Sequence, residues 1–475
     1  MIPLVNAEVM RDCDARAVAE RGVDALVAAA GFAVAGEARR MLGSLYGRRV
    51  AVIAGPGLNG RDGVVAAGVL RSRGCQVDLI AVADQPARLE RCELVIDAAY
   101  GLGCRRPYDA PEVADATLVL SVDLPSGVDA DTGALLGRPV RADVTLAIGA
   151  LKFAHVDGPA AACAGQLRFA SLGIATPLDN ALVTDDDLAG FVRAGTADHK
   201  WTHAVSVLAG SRLMPGAARL VCEGALSAGA SMVRLTSRGK IAKMVRLPPE
   251  VVRVEEPLID SRSRSLVAGP GLGADATPWL LERLPALRCP VVLDADALSM
   301  EVVSAAGQVP RILTPHQGEF DRLGGRVHEE RRIEAVRRLA AELGCVILLK
   351  GPITVVASPS GQVRVVTSGT SALATAGSGD VLAGMIAASL ARGHEVLDAA
   401  ALSAHLHGRA GSLLTQYQSA SHLASAVTSV LRHTSLRHEE RSLRVDLGSH
   451  NKNRDAELAG PVMGVAQSAR ENNKF

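Results

Sequence analysis

Asp380 closes the run Gly377, Ser378, Gly379 inside the segment LATAGSGDVLAG (Leu373–Gly384), just ahead of a helical pattern. Glycines at a helix start leave backbone N–H groups open to phosphate oxygens, and the helix dipole favours negative charge there. An aspartate in the first turn can then deprotonate a hydroxyl that attacks a phosphoryl group. The plainer alternative is a glycine-rich helix cap. Four more loops in the same half carry polar groups after apolar runs: AGPGLG (Ala268–Gly273), LDADAL (Leu293–Leu298), LTPHQGEF (Leu313–Phe320) and LKGPITVVA (Leu349–Ala357). Together they outweigh the plain cap.

The first half carries a second constellation. GPGLNGRDG (Gly55–Gly63) follows an apolar run and opens a helix, so Gly55, Gly57 and Gly60 satisfy a GxGxxG spacing. Alone this permits an ordinary dinucleotide dehydrogenase, with Asp84 toward the ribose, or merely a packing turn. DAAYGLG (Asp97–Gly103) and VDLPSGVD (Val122–Asp129) follow the next two apolar runs. Loops at strand C-termini converge on one crevice, so Asn59, Asp62, Asp97, Asp123 and Ser126 are expected to share it. Such oxygen donors suit a hard cation rather than zinc, though each acid singly reads equally well as a cap or turn former.

These residues need a scaffold of strand ends. Arg49–Ala54, Val77–Ala83, Leu94–Ala98, Thr117–Val122 and Asp143–Ile148 read as buried strands alternating with Ala-rich helices. A second series reads the same way: Val205–Leu208, Ser231–Leu235, Ser265–Ala268, Val291–Leu293, Arg311–Leu313, Val346–Leu349 and Ile353–Ala357. Such alternation predicts an α/β protein with mostly parallel sheets. The expected division is 1–190 and 191–435, broken in the polar passage near 185–198, with a polar tail over 436–475 that carries no packing pattern. A chain of 475 residues with 48% hydrophobic content supports such domains. The net charge of +1 gives no global field for nucleic acid or a membrane, and the eight cysteines lack metal-ligand spacing. Glu8, Asp12 and Asp14 argue against a signal peptide, so a cytoplasmic protein is expected.

In order and spacing, GPGLNGRDG, DAAYGLG, VDLPSGVDADTG (Val122–Gly133), ADVTLAIGALKFAH (Ala142–His155) and a strand end at SLGI (Ser171–Ile174) resemble the NAD(P)H-hydrate epimerase family over roughly residues 1–183. The resemblance implies a Rossmann-like three-layer domain that inverts the hydroxyl-bearing C6 of the hydrated nicotinamide ring. Potassium would be held by Asn59, Asp97 and Ser126. Leu58, Asn59, Gly60, Arg61, Asp62, the stretch Gly101, Leu102, Gly103, Cys104, Arg105, Arg106 and Pro107, and Asp123 would line the substrate. Asp123 would move the proton, and Lys152 would either assist or stand solvated. The family loop usually reads GNNGGDG, so Leu58 and Arg61 are departures expected to slow this reaction.

Over roughly Lys200–His433, the five loops of the second half, preceded by HKWTHAVSVLAGSRLMPGAA (His199–Ala218), resemble the ADP/ATP-dependent NAD(P)H-hydrate dehydratase branch of the ribokinase-like superfamily. This implies that Ala217, Gly271, His316 and Asp380 contact the hydrated cofactor, with Asp380 catalytic. Lys350, Gly351, Pro352, Ile353, Thr354 and Gly379 would hold the adenine nucleotide, with magnesium, and ADP is preferred to ATP. Expected ligands are thus hydrated NADH and NADPH and an adenine nucleotide, on a homo-oligomer. The competing reading is a ribokinase-like small-molecule kinase carrying a non-catalytic cofactor-binding module.

Overall fold

The computed structural model describes residues 1–192, 199–239, 241, 244–254, 260–415 and 417–436. The passage 193–198 within the expected break, and the expected tail from 437 onward, lie outside the described residues. Among the described residues no helix is long and apolar enough to cross a membrane.

The first sheet has six parallel strands in the order Gln76–Ala81, Arg49–Ala54, Leu94–Ala98, Leu118–Val122, Val144–Ile148 and Gln166–Ala170. Five match the apolar runs to within one or two residues. The sixth, Gln166–Ala170, ends before Ser171, and Ser171–Ile174 is the turn beyond it, with Leu172 at a left-handed φ of 48°. Helices Val23–Leu42 and Leu58–Ser72 cover one face through Val34, Ala38, Ala66 and Leu70, while Leu89, Cys92, Tyr108 and Val140 close the other from loops and a short ribbon. Because strand Arg49–Ala54 lies between Gln76–Ala81 and Leu94–Ala98, chain order reverses there. That switch point opens a crevice at the strand C-termini.

The second sheet runs Val251–Arg253, Met232–Arg238, Ala204–Ser211, Ser265–Ala268, Val291–Leu293, Arg311–Leu313 and Val346–Leu349 in parallel, then continues through the antiparallel Thr354–Ala357 and Val363–Val366. Its switch point falls between Ala204–Ser211 and Ser265–Ala268. The sheet then takes in strands from the first half: Asn180–Leu182 pairs with Val363–Val366, Ile2–Val5 with Asn180–Leu182, and Leu151–Lys152 with Ile2–Val5. These three short pairings were not legible in the sequence. They tie the first half to the second in one continuous ladder of hydrogen bonds.

Helix Ser378–Ala391, which carries the glycine loop, crosses helix Pro215–Ser227, which carries Ala217, at two glycines. A methyl on Gly224 would strike the Val381 carbonyl, and one on Gly384 the Val221 carbonyl. The glycines let the two backbones touch, which fixes the spacing between the two sides of the site.

Candidate active sites

The loop after strand Arg49–Ala54 turns into helix Leu58–Ser72 without a side-chain cap, so its first N–H groups remain available. Gly60 packs so tightly that an added methyl would overlap the Gly55 carbonyl, and one on Gly55 would overlap the Ala99 carbonyl. The same methyl on Gly57 meets nothing. The first and third glycines of the motif therefore serve the fold, leaving Gly57 facing the crevice.

That crevice is a cavity of about 520 Å³ whose walls include Leu58, Asn59, Asp62, Gly101, Leu102, Gly103, Asp123 and Lys152. Of the expected substrate residues, Gly60, Arg61, Cys104, Arg105, Arg106 and Pro107 are not on its walls. Arg61 turns outward to an exposed ion pair with Asp24 at 2.6 Å. Asp84, which a dehydrogenase would need at the ribose, is exposed and also off the cavity. Helix Ala7–Arg21 supplies an unforeseen wall through Arg11, Asp14 and Val18, one helical face. Its core side is Ala7, Met10, Cys13 and Ala17, and nothing in that spacing marks Arg11, Asp14 and Val18 as cavity walls.

At the cavity floor Asp123 adopts a left-handed φ of 66° and is met by Lys152, whose side chain is only 1% exposed. The ammonium donates to Asp123 Oδ1 and to the carbonyls of Ile148 at 2.9 Å and Ala150 at 3.0 Å. Of the two expectations for Lys152, the solvated one is thus set aside. His155 accepts the Lys152 N–H at Nδ1, 2.9 Å, so its Nε2–H donates to the Asp123 carbonyl at 2.7 Å. Burial and the nearby Lys152 charge hold this imidazole down to about 4, so it stays neutral. Burial, reinforced by Asp123, pushes Asp62 up to about 8. Burial likewise lifts Asp14 to about 6, Lys152 opposing and Asp123 adding.

Neither Asp97 nor Ser126 lies on the cavity wall, which brings together only Asn59, Asp62 and Asp123 of the five residues expected to share it; Asp97 is wholly buried. Its carboxylate accepts from Ser121 Oγ at 2.9 Å and from the Ser126 N–H and Oγ at 2.9 and 2.6 Å, and burial raises its pKa despite these bonds. No cationic side chain pairs with it among the described residues. Asn59, packed against Gly101, has both its amide oxygen and nitrogen buried without a partner.

In the second half, Asp294 at the end of strand Val291–Leu293 is the pivot. Its Oδ1 accepts from Lys350 Nζ at 2.9 Å and from Thr314 Oγ1 at 2.8 Å. Burial would lower the Lys350 pKa, but Asp294 outweighs it and the net shift is upward. Gly377 caps the following helix at a φ of 88°, and an added methyl on Gly379 would stand 3.3 Å from Lys350 Nζ. Asp380 makes no hydrogen bond or ion pair among the described residues. Burial and then the Asp294 charge push it up to about 7.

Gly271, at a φ of 64°, packs on Ala217, so those two expected residues are brought together. Beside them, at the switch point, opens a second cavity of about 400 Å³ walled by Arg212, Arg238, Gly273 and Trp279. His316 is 59% exposed and caps helix Gln317–Arg322, its Nδ1 accepting the Glu319 N–H at 3.3 Å. In the Lys350–Thr354 loop the Thr354 hydroxyl donates to the Gly351 carbonyl at 3.2 Å. Arg332, unmarked in the sequence reading, donates to the carbonyls of Leu349 at 3.2 Å and Lys350 at 2.9 Å and so holds this loop.

Fold and sites thus define a two-site α/β protein, with a carboxylate-lined crevice in one half and a glycine loop at a helix start beside a buried lysine–aspartate pair in the other. Residues 205–432 match the family described as NAD(P)H-hydrate dehydratase, and residues 23–93 and 81–154 match the YjeF-related protein N-terminus. The chain is 35% identical over 457 residues to the bifunctional NAD(P)H-hydrate repair enzyme of Mycobacterium leprae, covering 86% of this chain and 93% of that protein. Its counterpart in Escherichia coli is 32% identical over 418 residues, covering 76% and 80%. Among solved structures, the ADP/ATP-dependent NAD(P)H-hydrate dehydratase from Bacillus subtilis, co-crystallised with ATP and magnesium, is similar at 30% identity. It covers 53% of this chain and 97% of that one, with a TM-score of 0.47. The chain belongs to the family of bifunctional NAD(P)H-hydrate repair enzymes, which join an epimerase to an ADP/ATP-dependent dehydratase.

Proposed function

We propose that the N-terminal crevice inverts C6 of hydrated NADH and NADPH, and that the glycine-loop site dehydrates the S epimer using ADP in preference to ATP. The observation that carries this division is Asp380, an unpaired carboxyl raised to about 7 in the first turn of the glycine-loop helix. A base near neutrality is what a hydroxyl needs as it attacks a phosphoryl group. Asp380 takes the C6 hydroxyl proton while the oxygen attacks the terminal phosphoryl of the nucleotide. The N–H groups around Gly377–Gly379 and Lys350 hold the charge that develops. Hydroxide leaves poorly, whereas phosphate leaves well. Electron donation from the ring nitrogen expels phosphate, and loss of a C5 proton restores the dihydronicotinamide. Magnesium carried with the nucleotide would neutralise phosphate charge during transfer.

For the epimerase half we assign a potassium ion to Asn59, Asp97 and Ser126. The chain offers a buried carboxylate without a cation, an orphaned amide and a hydroxyl, all oxygen donors suited to a hard monovalent ion. The ion would balance the Asp97 charge and hold Asn59 on the crevice wall. Potassium is expected to raise the melting temperature of the holoprotein more than equal concentrations of choline chloride do.

The decisive assay offers the separated R and S epimers of hydrated NADH with ADP and with ATP. The S epimer should yield NADH, AMP and free phosphate with ADP, and the R epimer should follow at the rate of epimerisation. A stable phosphorylated product without free phosphate would instead mark a small-molecule kinase and overturn the dehydratase assignment.

A further inference from the structure

The hydrated ring is a hemiaminal: C6 carries both the hydroxyl and the ring nitrogen N1. It can be inverted by breaking either bond. The glycine-loop site spends a phosphoryl group to break C6–O, which measures how poorly that oxygen leaves. The crevice is lined by carboxyls rather than by a second nucleotide loop, which favours a route by proton transfer that leaves C6–O intact. Breaking C6–N1 suits the substrate better, because N1 is conjugated through the ring double bond to the carboxamide and departs as a stabilised vinylogous amide. This route needs two proton-transfer groups, one at the hydroxyl and one at N1.

Asp123 supplies the first. The crevice holds two further carboxyls, Asp62 and Asp14, with Lys152 and Arg11 as the charged groups facing them from the floor and from the opening helix. Arg61, the remaining nearby charge, is committed to Asp24. Asp14 is half-buried on the cavity side of helix Ala7–Arg21 and makes no hydrogen bond or ion pair among the described residues. Its helix is held firmly. Asn6 caps it by accepting the Val9 N–H at 2.8 Å, the Ala7 N–H donates to Asp131 Oδ1 at 2.6 Å, and the preceding strand Ile2–Val5 is locked into the second sheet. A fixed carboxyl that lines the same cavity as Asp123, near enough for the two charges to act on each other, is placed to serve the other atom.

Resting on the epimerase reading, we propose that Asp14 is the second catalytic residue of epimerisation: Asp123 takes the C6 hydroxyl proton while Asp14 protonates N1. The C6–N1 bond breaks, its electrons pass to N1, and C6 becomes an aldehyde. Rotation about C5–C6 presents the other face, N1 re-adds as it returns its proton to Asp14, and Asp123 returns a proton to the new hydroxyl. No oxidant, reductant or water is consumed. A carboxyl near 6 can act in both directions near neutrality.

Asp14→Asn in the full chain should lower the epimerisation kcat by about 10²-fold with KM within roughly threefold, and leave dehydration of the S epimer at the parent rate. The parent should lose epimerase activity as pH rises through the Asp14 range, and that limb should vanish in Asp14→Asn, which a merely structural role would not produce. Substrate labelled with ¹⁸O at C6 should keep its label through inversion. A kcat within twofold of the parent, a retained limb, or a limb lost in Asp62→Asn instead would overturn the assignment to Asp14. Complete loss of label at each turnover would overturn the ring-opening route. A parent that fails to invert the R epimer while dehydrating the S epimer would refute the epimerase reading itself.

Discussion

The two sites pair a lysine with an aspartate in opposite ways. In the N-terminal crevice Lys152 is bonded to Asp123, the residue assigned to the reacting atom. In the C-terminal site Lys350 is bonded to Asp294, and Asp380, the proposed base, makes no such pair among the described residues. The difference follows from the tasks. Inversion forms no lasting charge beyond the crevice, so a cation fixed on the base costs little and orients it. Phosphoryl transfer brings several negative charges to the loop. A lysine held by a third group stays charged and points at those oxygens, while the base remains free to take a proton.

The largest effects should come from breaking each arrangement at its reacting aspartate. Asp380→Asn keeps the shape but cannot accept a proton, so dehydration should fall by about 10²- to 10⁴-fold with nucleotide affinity within a few-fold. In the parent the ionised form is active, so dehydration should decline as pH drops through about 7. The stability sign runs the other way. Because the folded value exceeds the unfolded 3.8, stability held at low pH is lost as pH rises through about 7. At pH 8 Asp380→Asn should therefore melt at or above the parent temperature, and a clearly lower melting point would contradict an isolated, desolvated carboxyl. At the other site Asp123→Asn tolerates the left-handed backbone that alanine would strain. It should remove epimerisation and spare dehydration of the S epimer, and equal loss of both would show that the shared sheet couples the sites.

A smaller effect separates the glycines of the first loop. Gly60→Ala forces backbone against backbone and should lower stability by roughly 1–3 kcal/mol, read by denaturant melts. Gly57→Ala has open space and should be silent in the same melts. Equal costs would mean that the loop is held by something other than the Gly55–Gly60 contact.

The smallest effect concerns the two departures from the family loop. Leu58 lines the cavity, whereas Arg61 is committed to an exposed pair with Asp24. Exposed pairs contribute about 0–1 kcal/mol. Leu58→Asn should thus raise epimerase activity several-fold, about one regained hydrogen bond, and Arg61→Gly alone should change it less than about twofold. A larger gain from Arg61→Gly would restore the expectation, drawn from sequence, that its bulk obstructs the substrate.

Much of this was written locally in the chain. Short, mainly apolar runs specify strands buried on both faces, and they located Arg49–Ala54, Leu94–Ala98, Ser265–Ala268, Val291–Leu293 and Val346–Leu349 without error. The loops that follow them carry the site residues, because parallel strands put their C-terminal loops on one edge. Family likeness then attached chemistry to Asp97, Asp123, Lys350 and Asp380. Tertiary structure decided which of these residues meet. Strands of two to four residues such as Ile2–Val5 and Leu151–Lys152 are too short to show a period, and their partners lie roughly 150 to 180 residues away or in the other half. The direction of a long side chain is equally nonlocal: Lys152 turned inward because three oxygens from the floor converge on its ammonium, and Arg61 outward because Asp24 waits on the neighbouring helix. Asp14 entered the crevice for the same reason. Its helix is placed by a strand paired into the far sheet, and no pattern within residues 7–21 records that pairing.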